Sequence, residues 1–321
     1  MRWGGGPAAV PSSNLGGDVE RVDADNSWIW AANRAPRRAL GWVVALAGGL
    51  WAGAVVGWAP GLARPLLSSI GASGGPWTDL LATAASYAVV FGPLFLAAMA
   101  GGAAEGRPIW RLGGRPAAAA AAGLALGAGG FALSLGIAFA AGAVTRGSGA
   151  ATDGALIGPA AIDVLLVLLG AAAEELYFRG WMQPVLGGRW GAWVGLLATS
   201  LIFCGLHIVG GARAPLAAIN IFLAGLFFGL LALRSGGLAA PIAAHFAWNW
   251  SETGLFGSDP NPGAGPFGAL VDVDLNGPAL WSGGADTMNG SLATTLVLST
   301  LIAGLMLAVG RGRSGPARSP R

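Results

Sequence analysis

Ala171-Ala-Ala-Glu-Glu-Leu-Tyr-Phe-Arg-Gly-Trp181 sets two adjacent carboxylates and an arginine inside an apolar run long enough to cross a membrane. A charged side chain at bilayer depth costs on the order of 3 kcal/mol on insertion scales, so such residues pair with one another or mark a functional site. Glu175 and Arg179 lie four apart with the carboxylate first, the favourable order for an ion pair along one helix face. Glu174 points about 100° away from Glu175, at 3.6 residues per turn, so the same arginine does not easily serve both. One glutamate is accounted for structurally, and Glu174 is left over.

The composition around this stretch is that of a polytopic membrane protein: 54% of the 321 residues are hydrophobic and 10% charged, with a mean hydropathy of +0.63. All 18 basic residues are arginine, and Ala and Gly are heavily used. This looks like the coding bias of a GC-rich bacterium, so the basic balance gives no reason to expect a nucleic-acid partner. Cys204 is the single cysteine, which excludes a disulfide framework or a thiolate metal cluster within one chain. The first apolar run begins only near Ala39, so no cleavable signal peptide is expected and the spans insert the chain themselves.

A span needs about 20 apolar residues. Such runs lie at 39–59, 79–101, 117–144, 162–185, 191–210, 215–233, 238–250 and 292–310, which predicts an all-α protein of eight transmembrane helices. The seventh run is short, broken by Pro241, and carries His245. Residues 1–38, rich in Gly, Pro, Ser and Asp, read as a disordered cytoplasmic tail. Residues 39–145 hold the first three helices, 146–252 the fourth to seventh, 253–310 an extracytoplasmic loop and the eighth helix, and 311–321 a basic tail. Arg34, Arg37 and Arg38, then Arg107, Arg111 and Arg115, then Arg311, Arg313, Arg318 and Arg321 fall on one side of an even number of spans. Basic residues concentrate in cytoplasmic loops, so both termini are expected inside and the acidic Ser251–Gly290 loop outside. Gly49, Gly53 and Gly57, and again Gly225 and Gly229, recur at four-residue spacing and read as close helix packing.

The two histidines both lie in apolar runs downstream of the glutamates. His207 ends Phe203-Cys-Gly-Leu-His207, and His245 and Asn249 lie four apart on one helix face. Counted from the inner helix ends at about 1.5 Å per residue, Glu174 lies roughly 16 Å deep, His207 roughly 21 Å, and His245 to Asn249 roughly 10–16 Å. Taken singly, an intramembrane histidine is an interhelical hydrogen-bonding residue, and a Glu/Arg pair is a clamp. Their conjunction at one depth, with a carboxylate to spare, points to a site. Cys204 reads as an inert buried thiol, Asp163 as an interfacial residue near the outer end of its span, and Asn220 as a packing residue.

Glu174-Glu175-x-x-x-Arg179, Phe203-x-x-x-His207 and His245-x-x-x-Asn249, in that order on successive apolar segments, resemble the CPBP intramembrane proteases. That family holds the CAAX prenyl endopeptidases and the bacteriocin-processing or immunity (Abi) proteins. The resemblance covers about residues 160–252. It implies Glu174 as general base, Glu175 paired with Arg179, His207 sharing the activation of a water, and His245 and Asn249 stabilising an oxyanion. Residue chemistry allows these roles: a carboxylate at low dielectric can act as a base near neutral pH, and Asn and His donors stabilise a tetrahedral intermediate. Glu174, His207 and His245 are also a plausible ligand set for catalytic Zn²⁺, and the family has been described both as metalloendopeptidases and as metal-free glutamate proteases. Metal-independent water activation, with no cofactor, is the reading preferred.

The sequence is thus read as an integral protein of a bacterial cytoplasmic membrane whose fourth to seventh helices enclose a polar cavity. There it would hydrolyse a peptide bond of a membrane-anchored, CAAX-like or leader-peptide substrate. The alternatives are a proton- or ion-coupled transporter, since buried carboxylates and histidines also serve as relays, and a non-catalytic immunity or scaffold protein of the same fold.

Overall fold

A computed structural model of the chain describes residues 39–56, 59, 65, 66, 69, 75–147, 157–258 and 269–311. The expected N-terminal tail, Gly57 of the first glycine series and the basic tail after Arg311 lie outside the described residues. The helices are α1 (Ala39–Val55), α2 (Pro76–Ala104), α3 (Pro116–Ala140), α4 (Ile157–Glu175), α5 (Gln183–Trp190), α6 (Ala192–Gly210), α7 (Pro215–Ser235), α8 (Ala239–Trp250), α9 (Ala279–Ser282) and α10 (Leu292–Arg311). A π-helical turn, Leu176–Met182, joins α4 to α5, and a second, Ser251–Leu255, extends α8. Proline opens α2, α3 and α7, where its missing N–H costs nothing and its fixed φ suits the first turn.

This is an all-α membrane protein, with one small departure: β1 (Val144–Arg146) pairs antiparallel with β2 (Val273–Leu275), Thr145 opposite Asp274. Among the described residues, five stretches are long and apolar enough to cross a bilayer: Trp77–Ala104, Pro116–Ala140, Ala192–Gly210, Pro215–Ser235 and Gly284–Leu307. Helices also occupy the other three expected spans, but length and hydropathy alone do not bring the count to eight. α1 has 17 residues and α8 only 12, while α4 carries Asp163, Glu174 and Glu175.

Packing explains how a 12-residue helix holds His245 in place. α8 lies chiefly against α3. A side chain at Gly123 would meet the carbonyl of Ala240, and one at Gly127 the carbonyl of Ala244. The two backbones therefore touch directly, one residue before His245. Gly225 brings α7 against the backbone of Ser200 on α6, whereas Gly229 meets the side chain of Leu196, and Gly49 and Gly53 of α1 face Tyr177 and Leu206. The Gly123/Gly127 pair is not evident in a sequence so rich in Ala and Gly.

Gly127→Ala should destabilise the protein by about 1–3 kcal/mol, the usual range for overpacking, despite the roughly 1 kcal/mol that Ala gains over Gly in a helix. Gly136→Ala, on the same helix with nothing within 4 Å, should be neutral or mildly stabilising. Thermal unfolding in detergent measures both, and equal effects would remove the packing argument.

Candidate active site

The last two residues of α4 are Glu174 and Glu175, and the chain then widens into the fully buried π turn that carries Arg179. Such turns, with i→i+5 hydrogen bonds, recur at functional sites. Glu175 Oε1 accepts from Arg179 Nη1 at 2.9 Å, and neither side chain is exposed. Arg179 Nη2 donates to Gly225 O of α7 at 2.9 Å. Three rings surround the guanidinium carbon, Phe203 at 4.8 Å, Phe228 at 5.5 Å and Phe178 at 5.6 Å to the centroid, so the buried cation meets aromatic faces as well as its carboxylate.

Glu175 has a second partner, which spacing along the chain does not reveal. His245 Nδ1 lies 2.9 Å from Glu175 Oε1. A carboxylate held by arginine accepts, so Nδ1 carries the proton and Nε2 is turned the other way. The imidazole stacks on Phe228 at 4.6 Å and 16° between planes, which fixes the ring's tilt. His245 Nε2 then stands 3.9 Å from Glu174 Oε2, too far for a direct hydrogen bond. Glu174 Oε2 has no hydrogen-bond partner among the described residues.

On α6, His207 Nδ1 donates to the carbonyl of Phe203, 2.8 Å away and one turn earlier. The two rings lie 4.3 Å apart. As a carbonyl only accepts, the other ring nitrogen, Nε2, carries the free lone pair. Asn249 follows His245 by one turn, and its own carbonyl accepts from Thr253 Oγ1 in the second π turn at 3.0 Å.

Glu174, His207, His245 and Asn249 all line one cavity of about 320 Å³, whereas Glu175 and Arg179 do not. The fourth to seventh predicted spans do not enclose it alone. α2 supplies an apolar wall of Val90, Phe91 and Leu94 with Tyr87 beside them, α1 contributes Ala52, and Asp286, Thr287 and Asn289 form a rim ahead of α10. Those walls are apolar in the manner of any lipid-facing helix, so periodicity gives no sign of them.

Other expected residues fall as follows. Asp163 is buried rather than interfacial, with Oδ1 unpartnered among the described residues. It lies three turns before Glu174 on the same face of α4, and packing against α2 covers it. Asn220 ties α7 to the start of α10, donating to Asn289 O and Ser291 O at 2.8 Å and accepting from Thr295 Oγ1 at 2.7 Å. Cys204 Sγ donates to Ala218 O at 3.2 Å. Tyr87 and Phe228 are the site residues that sequence reasoning missed. Tyr87 is one of only two tyrosines, both within spans rather than at their ends.

No three His, Cys, Asp or Glu side chains among the described residues come together in a way that would hold a metal ion. His207 and His245 each donate through Nδ1, to Phe203 O and to Glu175 Oε1. The set Glu174, His207 and His245 thus does not fit a His₂Glu zinc site as placed.

Residues 157–251 match the family model described as type II CAAX prenyl endopeptidase Rce1-like. A protein of Escherichia coli described as an uncharacterized 24.3 kDa protein is 38% identical over 90 residues, 26% of this chain and 41% of that relative. The chain thus spans well under half the length of that relative, and no solved structure matches it. The matched segment runs from the first residue of α4 into the turn after α8 and contains Glu174, Glu175, Arg179, His207, His245 and Asn249. Over residues 157–251, the chain is thus similar to the type II CAAX prenyl endopeptidase Rce1-like family.

Proposed function

We propose that the protein is an intramembrane endopeptidase that hydrolyses a peptide bond of a membrane-associated substrate. Residues 146–252 would be its catalytic core, and the outer helices its walls. The observation that carries this reading is the spare carboxylate: Glu174 Oε2 lacks a hydrogen-bond partner and faces His245 Nε2 across 3.9 Å inside the cavity. A water admitted between them would be within reach of both atoms.

In this mechanism Glu174 takes a proton from that water as its oxygen attacks the scissile carbonyl carbon. His207 Nε2, with its lone pair free, helps to hold the water. The carbonyl oxygen becomes an oxyanion, which the Asn249 amide can donate to in every protonation state. His245 can donate from Nε2 only as the imidazolium, since Nδ1 already gives its proton to Glu175. The protonated Glu174 then passes its proton to the leaving nitrogen as the C–N bond breaks. A carboxyl terminus and an amine result, and the base is restored. Glu175 and Arg179 do not touch substrate; they fix the position of His245.

Purified protein in proteoliposomes, given membrane-anchored peptides in H₂¹⁸O, should release products with a single ¹⁸O in the new carboxylate, with and without chelator. Loss of cleavage in chelator, restored by zinc, would overturn the metal-free mechanism. Proton flux dependent on Glu174 without any cleavage would replace the peptidase reading by transport.

A further inference from the structure

Among the described residues, the lining of the cavity is one-sided. It comes from the middle of α2, the second half of α4 and Phe178 of the π turn, the last turns of α1 and α6, the first two-thirds of α7, the second half of α8 and the start of α10. No described residue of 95–166, 179–202 or 229–244 lines the cavity. The opposite end is sealed. Arg179 and Gln183 are tied to the carbonyls of Gly225 and Gly229, and Leu196, Phe227 and Leu238 are buried there. The α2–α3 loop closes over this end, with Leu238 N donating to Arg111 O at 2.8 Å and Arg189 pairing with Glu105 at 3.3 Å.

The two ends also differ in charge. The sealed end carries Arg107, Arg111, Arg115, Arg189 and Arg234, and the chain before α1 and after α10 adds further arginines. Among the described residues, the open end carries Asp79, Glu252, Asp272, Asp274 and Asp286 against Arg146 and Arg213. Asp286 there caps the start of α7, accepting from Ala214 N at 2.6 Å and Arg213 N at 3.0 Å. Arginine-rich ends stay in the cytoplasm, which puts the mouth of the cavity on the other side.

We propose that substrate peptides enter from the extracytoplasmic side, so that the proteins cleaved are displayed at that surface rather than tethered to the inner leaflet. The inference rests on the peptidase reading for the word substrate, and on geometry and charge for the direction.

Two arms separate these. In a Cys204→Ser background, Ala285→Cys at the rim should react with a membrane-impermeant maleimide in intact cells, and Leu112→Cys only after permeabilisation. The reverse pattern overturns the proposed direction whether or not the protein is a peptidase. In the second arm, one peptide is fused to the extracytoplasmic or to the cytoplasmic end of a membrane anchor. Glu174-dependent cleavage of the first alone, by at least about tenfold, is expected, and cleavage of the second alone overturns the proposal. Expected labelling with neither fusion cut counts against the peptidase reading and leaves the direction of access standing.

Discussion

Glu174→Gln should reduce turnover by about 10²–10⁴-fold, the usual loss when a general base is removed, and leave the fold intact. The side chain is 15% exposed and faces the cavity. Its Oε2 surrenders no hydrogen bond when the charge is removed, and Gln has nearly the same shape. Cleavage rates in proteoliposomes, alongside thermal unfolding in detergent, test both halves. Activity within about tenfold of the parent would remove Glu174 from the mechanism, and a large drop in stability would show that it holds the structure together.

The neighbouring carboxylate should behave in the opposite way. Breaking a buried ion pair by removing one partner costs about 3–5 kcal/mol, because the other charge is left behind. Glu175→Gln strands a guanidinium that cannot lose its proton, with Gly225 O and three aromatic faces as its remaining company. Arg179→Met strands a carboxylate that can take up a proton or pair with His245. Glu175→Gln is therefore expected to be the more damaging single change. The double change removes both charges and should recover stability beyond either single variant. Some turnover should return with it, since Gln Oε1 can still accept from His245 Nδ1. A double-mutant cycle on unfolding in detergent measures the coupling. Coupling of Arg179 to Glu174 instead of Glu175 would exchange the roles of the two carboxylates.

What the sequence makes legible here is what a bilayer makes costly. Glu174, Glu175, Arg179, His207, His245 and Asn249 stand out because each is polar in an apolar run, and the structure gathers them around one cavity or directly behind it. The helices are legible for the same reason in reverse, as uninterrupted apolar length. The π turn at Leu176–Met182 is not, because an added residue per turn leaves no compositional trace. Phe228 is hidden too: an aromatic residue in a span looks the same whether it meets lipid or, as here, His245. Asp163 misleads because nearness to the end of a span suggests water, whereas helix packing covers it.

The contact of α3 with α8 bears on genetic rescue. Where glycine faces a side chain, as Gly49 faces Tyr177 or Gly101 faces Trp181, a clash introduced by substitution can be relieved by trimming the partner. Gly127 faces the carbonyl of Ala244, an atom that every residue type carries. No substitution at the point of contact can make room for a larger residue at Gly127, so suppressors of such a change would have to shift a whole helix and would carry His245 away from Glu175.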